Sequence, residues 1–598
     1  MSQNHKFVGY YQWGQKIQPY RTWTGAAVFL SKDDTTLQDS GSWVWKGEWN
    51  GTLSNNLYME ARFGDFGYYF PLLGYSDQPF IFDSGTAISE GGDRRWQQDR
   101  DRKQATVAAT WFKNGWRGTH SFKFGGEFNV ETQWNAFERT VALNRDHRLF
   151  NGASRTVAFG FPTASGPLGS KSSRANMLSI GKLDHLSGFV TDQWSISPRL
   201  TFNLGLRVDR YKSHIPEQRQ LAFTNGPISI ADETFPAQTF FNWTSVAPRV
   251  GAIYDIDGEG RTVLKLNYGL FLHNPGPGIA ASGNPNQASK TVTREWNDLN
   301  GNRVWDPGEE GALVATALAG TISVDPDIKQ PYTHEASAFL ERQVMANLGV
   351  RLGVVYKTED DDWFTLQPGR PIDAYTVPFN VSDPGLDGIA GNADDRVLTL
   401  LGLPRAQLSQ FPATNVIMNG NAFGRHTTAE IAATKRFSNR WSAQAGFGQT
   451  WSHGQGVRRT PNDPDEADEM RWSFKASGIY QAPWDIRITP VFRHQAGSNY
   501  GRTLSVTAAA ATGAFYSATI RIEPLEANRQ DHINMFDLRA EKTVRLRGAS
   551  RARLFLDLFN LTNSAAAETI VTSTGTRLGF PTNILGPRTA RVGFRFDW

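Results

Sequence analysis

The 598-residue chain contains no cysteine, which excludes disulfides, thiol nucleophiles and cysteine-ligated metals. It also lacks long apolar runs: nothing approaches the roughly 18 to 20 consecutive apolar residues that a membrane helix needs. Hydrophobic residues make up 39% of the chain and mean hydropathy is −0.44, values usual for a water-soluble protein. They do not exclude a membrane β-barrel, because only alternate strand residues must then be apolar. A dominant charge is missing too, and a net +4 with dispersed Lys and Arg argues against a nucleic-acid partner. The 11 histidines form neither an HExxH motif nor a close pair, which argues against catalytic zinc. No glycine-rich phosphate loop lies between a strand and a helix, and long amphipathic helices are absent. No enzyme is expected. Met1–Tyr10 runs directly into a strand pattern, with no secretory leader before it.

What the chain has in quantity is aromatic residues, including 19 Trp and 38 Phe, and 57 glycines. The most informative stretch is its last, Arg551–Trp598. Leu554, Leu556 and Leu558 alternate with Arg553, Phe555 and Asp557; Val592, Phe594, Phe596 and Trp598 alternate with Arg591, Gly593, Arg595 and Asp597. A period of two marks strands with one apolar and one wet face. The same alternation recurs in Leu200–Asp209 and Thr262–Leu270. Strands are expected near 5–14, 42–50, 55–64, 104–113, 119–132, 185–195, 199–212, 243–255 and 261–272. They continue near 332–344, 347–358, 425–437, 440–452, 470–481, 485–495, 532–543, 549–560 and 589–598. Many of these segments exceed the usual soluble strand of about five or six residues and match the roughly 9 to 11 of a tilted membrane strand.

Any one such strand fits a β-sandwich equally well; the connections discriminate. Ser195–Pro198, Asp257–Gly260, Ser438–Asn439, Ala482–Asp485 and Gly548–Ser550 read as tight turns. Between them lie long polar connections at 15–41, 65–103, 133–184, 213–242, 273–331, 359–424, 453–469, 496–531 and 561–588, read as unstructured. Strict alternation of short and long connections is the signature of an outer-membrane barrel with short periplasmic turns and long external loops. The fold class is therefore all-β, a large antiparallel transmembrane β-barrel with about eighteen strands present. Trp194, Tyr211, Trp441, Trp451, Trp484 and Trp598 are expected to be interfacial anchors.

Leu186–Trp194, Pro198–Tyr211, Ala247–Tyr254, Lys265–Phe271 and Phe555–Asn563 resemble the barrel of TonB-dependent outer-membrane receptors. Asp325–Tyr332, leading into a strand with Glu341-Arg-Gln343, is most similar to the Oar-like members. The resemblance implies a partial barrel domain over residues 1–598, with no plug and no signal peptide, and a full barrel of 22 strands. It implies TonB-dependent uptake of a scarce oligosaccharide, peptide or metal chelate across the outer membrane of a Gram-negative bacterium. The implied partners are outer-membrane lipid and lipopolysaccharide, the barrel assembly machinery, an extracellular ligand, and the TonB complex only through the missing plug segment. Arg591, Gly593, Phe596 and Trp598 resemble the terminal signal read by the assembly machinery. The last strand should lack its closing partner. The alternatives are a passive porin or adhesin barrel without TonB coupling, and a secreted β-propeller glycosidase or lectin. The propeller is disfavoured because no repeat of roughly 40 to 50 residues is found.

Two external loops carry candidate calcium ligands. Asp298, Asn300, Asn302, the Val304 carbonyl, Asp306 and Glu309 have EF-hand spacing, although Arg303 takes the place usually held by glycine and opposes the sharp turn. Asp383, Asp387, Asp394 and Asp395 form a weaker set. The bland reading of both, and of the acidic stretches Glu359–Asp362 and Asp463–Glu469, is solvated carboxylates.

Overall fold

A computed structural model describes residues 4–22, 29–76, 78–92, 95–138, 145–464, 466–546, 548 and 550–598. Asp465 of the acidic stretch and Ala549 of the last tight turn lie outside these residues. The dominant element is one antiparallel sheet of nineteen strands, in which Leu57–Tyr69 and Pro71–Gly74 are a single stave interrupted at Phe70, leaving eighteen staves. In chain order they are β1 (His5–Arg21), β2 (Thr36–Ser54), β3 (Leu57–Tyr69), β4 (Arg95–Asn114), β5 (Thr119–Glu138) and β6 (Ser179–Ser197). Next come β7 (Leu200–Ile215), β8 (Gln238–Asp255), β9 (Thr262–Leu272), β10 (Tyr332–Met345), β11 (Leu348–Asp360) and β12 (Phe423–Ser438). The last are β13 (Trp441–Gln455), β14 (Glu469–Ala482), β15 (Ile486–Gln495), β16 (Ile533–Arg545), β17 (Arg551–Phe559) and β18 (Thr589–Asp597). Every stave pairs with its neighbours in sequence, from β1 with β2 to β17 with β18. Short and long connections alternate without exception along this order. Among the described residues, β18 pairs with β17 alone and β1 with β2 alone, so this sheet is open, as expected for the last strand.

The alternation of each strand becomes two different surfaces. On β7, Leu204, Leu206 and Val208 point outward and lie uncovered, while Arg207 and Asp209 point into the lumen and pair at 2.9 Å. Lumenal charges elsewhere are likewise matched across strands: Lys265 with Glu341 at 2.8 Å, Arg351 with Glu430 at 2.7 Å, and Asp557 between Arg539 at 2.5 Å and Arg591 at 2.6 Å. The exposed pairs, Lys265 with Glu341 and Arg351 with Glu430, add little stability, while Asp209 and Asp557 are buried among their partners; in both cases the pairing lets charges line the wall without repulsion. Outward aromatics gather at the short-turn end, where Trp111 stacks on Phe122 and Trp194 tilts against Phe202. Trp194, Trp441 and Trp484 stand at that end on or beside the outer face, and Trp451 points outward near the opposite rim. Tyr211 does not behave as an anchor. It shares the lumenal face of Arg207 and Asp209, is buried, and stacks on His185 at 4.3 Å between ring centres. The odd-numbered positions of β7 all face inward, and position 211 is one of them.

The staves run longer on the external side than the alternation suggested, and β4 and β5 reach 20 residues each. The added portion of β4, Arg95–Lys103, has no apolar outer face because it stands above the bilayer. The segment 163–178 covers it instead: Arg174 bonds Asp99 at 2.8 Å and Asp101 at 3.0 Å and lies over the Trp43 and Trp134 rings.

The long connections are folded, contrary to their unstructured reading. Seven short strands, Phe29–Leu30, Phe80–Asp83, Ile88–Glu90, Arg145–Phe150, Ala153–Phe161, Lys290–Trp296 and Glu310–Ala317, make one external sheet. Its core holds Leu149, Val157, Phe159, Phe161, Trp296 and Trp305. A second lobe buries Phe379, Leu403, Val506, Ala514, Tyr516 and Ile520. The buried apolar cores therefore sit in the cap, while the wall presents its apolar face to lipid.

Candidate functional site

The external mouth is narrowed by the chain itself. The one-turn helix Gly278–Ser282 brings Ile279 and Ala280 against Leu183, Tyr211 and Ile215 on the lumenal face of β6 and β7. Beneath it, the His185 Nε2–H donates to Asp209 at 2.7 Å and its Nδ1 accepts from the Asn129 amide at 2.7 Å, so one neutral tautomer satisfies both partners. The Arg207 guanidinium completes the group by donating to the Ser187 hydroxyl at 2.8 Å.

Above the mouth, the connections after β11, β13 and β15 converge on a cavity of about 480 Å³. Arg370, Arg458 and Arg459 line it together with Tyr375, Phe515 and Tyr516. The Arg370 guanidinium lies 5.3 Å from the Phe515 ring centre and donates to the Phe411 carbonyl at 3.1 Å, which fixes its plane. The Tyr516 and Thr460 hydroxyls meet at 3.2 Å, and burial raises the phenol pKa, keeping it a neutral hydrogen-bonding group. The nearby Asp463 carboxylate is occupied by the backbone N–H groups of Arg459 and Thr460 at 2.8 and 2.7 Å. Among the described residues that line the cavity there is no carboxylate, and guanidiniums beside aromatic rings suit an anionic or planar ligand. The sequence alone does not reveal this site, because Arg370 and the Arg458–Arg459 pair sit in two separate connections and Phe515 and Tyr516 in a third.

The first candidate calcium loop joins two strands of the external sheet. Its turn is made despite Arg303, which adopts φ 64° in the left-handed region and pairs with Glu90 at 3.4 Å. The objection raised by a non-glycine residue there is removed. Asp298 accepts from the Gly301 and Arg303 N–H groups, both at 2.8 Å, and Asn302 Oδ1 accepts from Val304 N–H at 2.8 Å. Asn300 and Asn302 both turn their NH2 groups to Asp306, at 2.7 and 2.8 Å. A cation would need both carboxamides rotated so that oxygen faced inward. Glu309 is buried and accepts from Leu299, Asp306 and the Trp296 indole. In the second loop, Asp383 is fully buried between Arg396 at 2.6 Å and Arg502 at 3.1 Å. Burial opposes its ionisation, yet the two guanidiniums hold its carboxyl below the usual range. Asp387 bonds the Ile389 N–H and the Asn392 amide, Asp394 the Leu386 N–H, and Asp395 the Gly391 N–H. Among the described residues, no three Asp, Glu or His side chains converge to hold a metal.

At the end of the chain Arg591 pairs with Asp557, and Gly593 lies directly under the Phe555 ring, where an added Cβ would come within 2.2 Å of it. Phe596 and Trp598 tilt against each other at 6.2 Å on the outer side, Trp598 being 92% exposed.

A family model described as an outer membrane beta barrel domain matches residues 1–489. Over 310 residues the chain is 27% identical to the TonB-dependent transporter Oar of Myxococcus xanthus, a match covering 44% of this chain and 26% of that protein. Among solved structures, the outer membrane transporter YddB from Escherichia coli superposes with a TM-score of 0.58 at 11% identity, covering 100% of this chain and 66% of that one. The ferric-catecholate import receptor Fiu from E. coli K12, in its closed form, gives 0.54 at 13% identity, covering 99% and 71%. At such identities the structural likeness is one of fold. The chain thus spans about a quarter of the curated relative it matches and 66% of the outer membrane transporter.

Proposed function

Because this chain belongs to the outer membrane beta barrel domain family and resides in the outer membrane of a Gram-negative bacterium, we propose that it forms the wall and external cap of a TonB-dependent receptor that takes up a scarce ligand. The role is binding and transport rather than catalysis. The observation that carries this reading is the cap. Three long connections fold together around one arginine-lined cavity at the mouth, whereas a passive pore or adhesin barrel requires no such convergence. Among oligosaccharides, peptides and metal chelates, the three guanidiniums favour anionic members. Coupling to TonB is assigned to no residue of this chain; in a receptor of this type it belongs to a plug segment. The C-terminal residues Arg591, Gly593, Phe596 and Trp598 are proposed to guide assembly. Calcium is proposed for the 298–309 loop alone, because Asp383 of the second loop is committed to Arg396 and Arg502.

The coding sequence immediately upstream of Met1 tests the receptor reading. A plug domain there supports it, and its absence together with steady ion conductance in planar bilayers sinks it. Binding of ferric citrate, set against neutral maltohexaose, tests the cavity. The anion should bind, and Arg458→Ala with Arg459→Ala should weaken it about tenfold, a change of about 1.4 kcal/mol. Equal binding of both probes, or no effect of the variants, would place the ligand elsewhere.

A further inference from the structure

A small sheet lies between the arginine-lined cavity and the lumenal wall. Its strands are Ile322–Val324, Trp363–Leu366 and Asn415–Asn419, with Asn415–Asn419 in the middle. The first comes from the connection between β9 and β10; the other two open and close the connection between β11 and β12. Side chains alternate across a strand, so the register assigns each residue to a face. Ile417 lies opposite Val324 and Thr365, and Asn419 opposite Trp363, which puts Ile322, Val324, Trp363 and Ile417 on one face. Ile417 belongs to the buried group of Leu183, Tyr211, Phe241 and Ile279 at the mouth, and the other three pack against it. Trp363 stacks on Trp243 of β8 at 6.0 Å between ring centres. The opposite face turns Leu366 and Met418 to the cavity, which Thr365 and Asn415 also border.

The same sheet is the root of one side of the cavity. The segment that carries Arg370 and Tyr375 leaves from Leu366 and returns through Asn415. The Gln367 amide donates to the Asn415 side-chain oxygen at 3.0 Å, and the Gln367 backbone carbonyl accepts from the Arg370 N–H at 2.8 Å. One cavity cation is thereby tied to the central strand, whereas Arg458 and Arg459 belong to the connection after β13. An anion that bridges Arg370 to that pair pulls on the sheet from the cavity side. Toward the wall the seam is apolar and non-directional, and lifting the sheet breaks no hydrogen bond within β6–β8. The Trp243 indole bonds the Ile328 carbonyl at 2.7 Å, an anchor beside the sheet. Strands of three, four and five residues make this a unit of low local stability.

We propose that this three-stranded sheet is a shutter between the cavity and the lumen. It rests on the wall through Ile417 and Trp363, and a ligand drawn between Arg370 and the Arg458–Arg459 pair lifts it. The shutter presupposes the uptake proposed above, and its test uses no ligand.

The chain has no cysteine, so Ile417→Cys and, separately, Leu403→Cys in the core of the second lobe each supply a sole thiol. Both positions are buried, at 6% and 0% exposure. With the full chain folded in liposomes, a maleimide should label Ile417→Cys about tenfold faster than Leu403→Cys, because the shutter opens more often than the lobe core. Trp363→Ala, outside the cavity lining, should raise the labelling rate of Ile417→Cys and speed maltohexaose release from loaded liposomes, each about tenfold. Should Trp363→Ala fail to fold, the two labelling rates decide the matter. Equal labelling at 417 and 403, or faster labelling in Trp363→Ala with unchanged release, would overturn the proposal. Ferric citrate binding by the same chains reports on the cavity separately: its absence beside a retained labelling difference fails the anionic-ligand reading and leaves the shutter standing.

Discussion

The wall and the cap of this protein are built from the same strands by opposite rules. In the wall every strand pairs with its neighbour in the chain, and the apolar residues face outward. In the cap, strands come from distant parts of the sequence. Phe80–Asp83 lies parallel to Arg145–Phe150, Ala153–Phe161 pairs with Lys290–Trp296, and Leu403 meets Phe515. There the apolar residues face inward, into cores of the kind found in soluble domains. A wall strand is dictated by its solvent: lipid on one side and water on the other impose a period of two. A cap strand has no such external template and takes its place only when remote partners arrive.

The sharpest break of the comparison is expected at Asp383. Replacing it with Ala breaks a buried pair with Arg502 and takes the partner of Arg396, but Arg502 keeps Glu523 at 2.5 Å, so the loss should be about 3 kcal/mol, the lower end for a broken buried pair. Hydrogen exchange should rise across 377–404 and 503–521 while β10–β15 stay protected; exchange rising in both would show that wall and cap unfold as one. Next in size is Leu352→Arg on the lipid face of β11, expected to cost about 2–4 kcal/mol in urea titrations of the protein in vesicles. Val355→Arg, three residues on but lumenal, should cost far less, and equal losses would mean that the assigned faces are wrong. Gly593→Ala should cost about 1 kcal/mol, because the Phe555 ring must swing away from the new methyl group. Its readout is the fraction of heat-modifiable, folded barrel on gels.

Acid separates the two regions more gently. Burial opposes ionisation of Asp383 and Glu523, but their bonds to Arg396 and Arg502 prevail and depress both carboxyls. A depressed pKa stabilises the fold above the unfolded value and loses that contribution as pH falls through the folded value. The second lobe should therefore be firm at pH 7 and become protease-sensitive below about pH 4, while the wall persists. Simultaneous loss of wall and lobe would refute the separation. The smallest effect concerns calcium. If the 298–309 loop binds it, proteolysis within that loop slows when calcium replaces chelator, and Asp298→Ala abolishes the difference. Identical cleavage in both conditions would retire that proposal.

How much of this was legible in the sequence follows the same division. All eighteen staves could be placed from alternation, and the largest errors in their bounds fall at the external ends. Arg95–Lys103 of β4 leaves the bilayer and loses the apolar half of its pattern, although Gln97 and Asp99 there are fully buried. Tyr211 was misplaced because its residue type suggested an anchor, while its position on the lumenal face of β7 decided otherwise. Position 303 looked hostile to a tight turn, yet Arg303 adopts the left-handed conformation, with its guanidinium paired to Glu90. Lys290 is buried and donates to Gln220, and burial lowers its pKa to about 8, none of which its residue type suggests. The cavity of Arg370, Arg458 and Arg459 left no local trace, since each arginine taken alone is an ordinary polar loop residue.

By itself, then, the sequence determined the wall: the number of staves, their order, the inward and outward faces, and the side from which the long connections rise. Two solvents act on every strand independently, so the pattern is written locally and read locally. Only the tertiary structure decided the cap, the narrowing of the mouth, the commitment of Asp383 to two arginines and the convergence of three guanidiniums on one cavity. Each of these depends on contacts between residues separated by tens to hundreds of positions, and no periodicity within one segment encodes such a meeting.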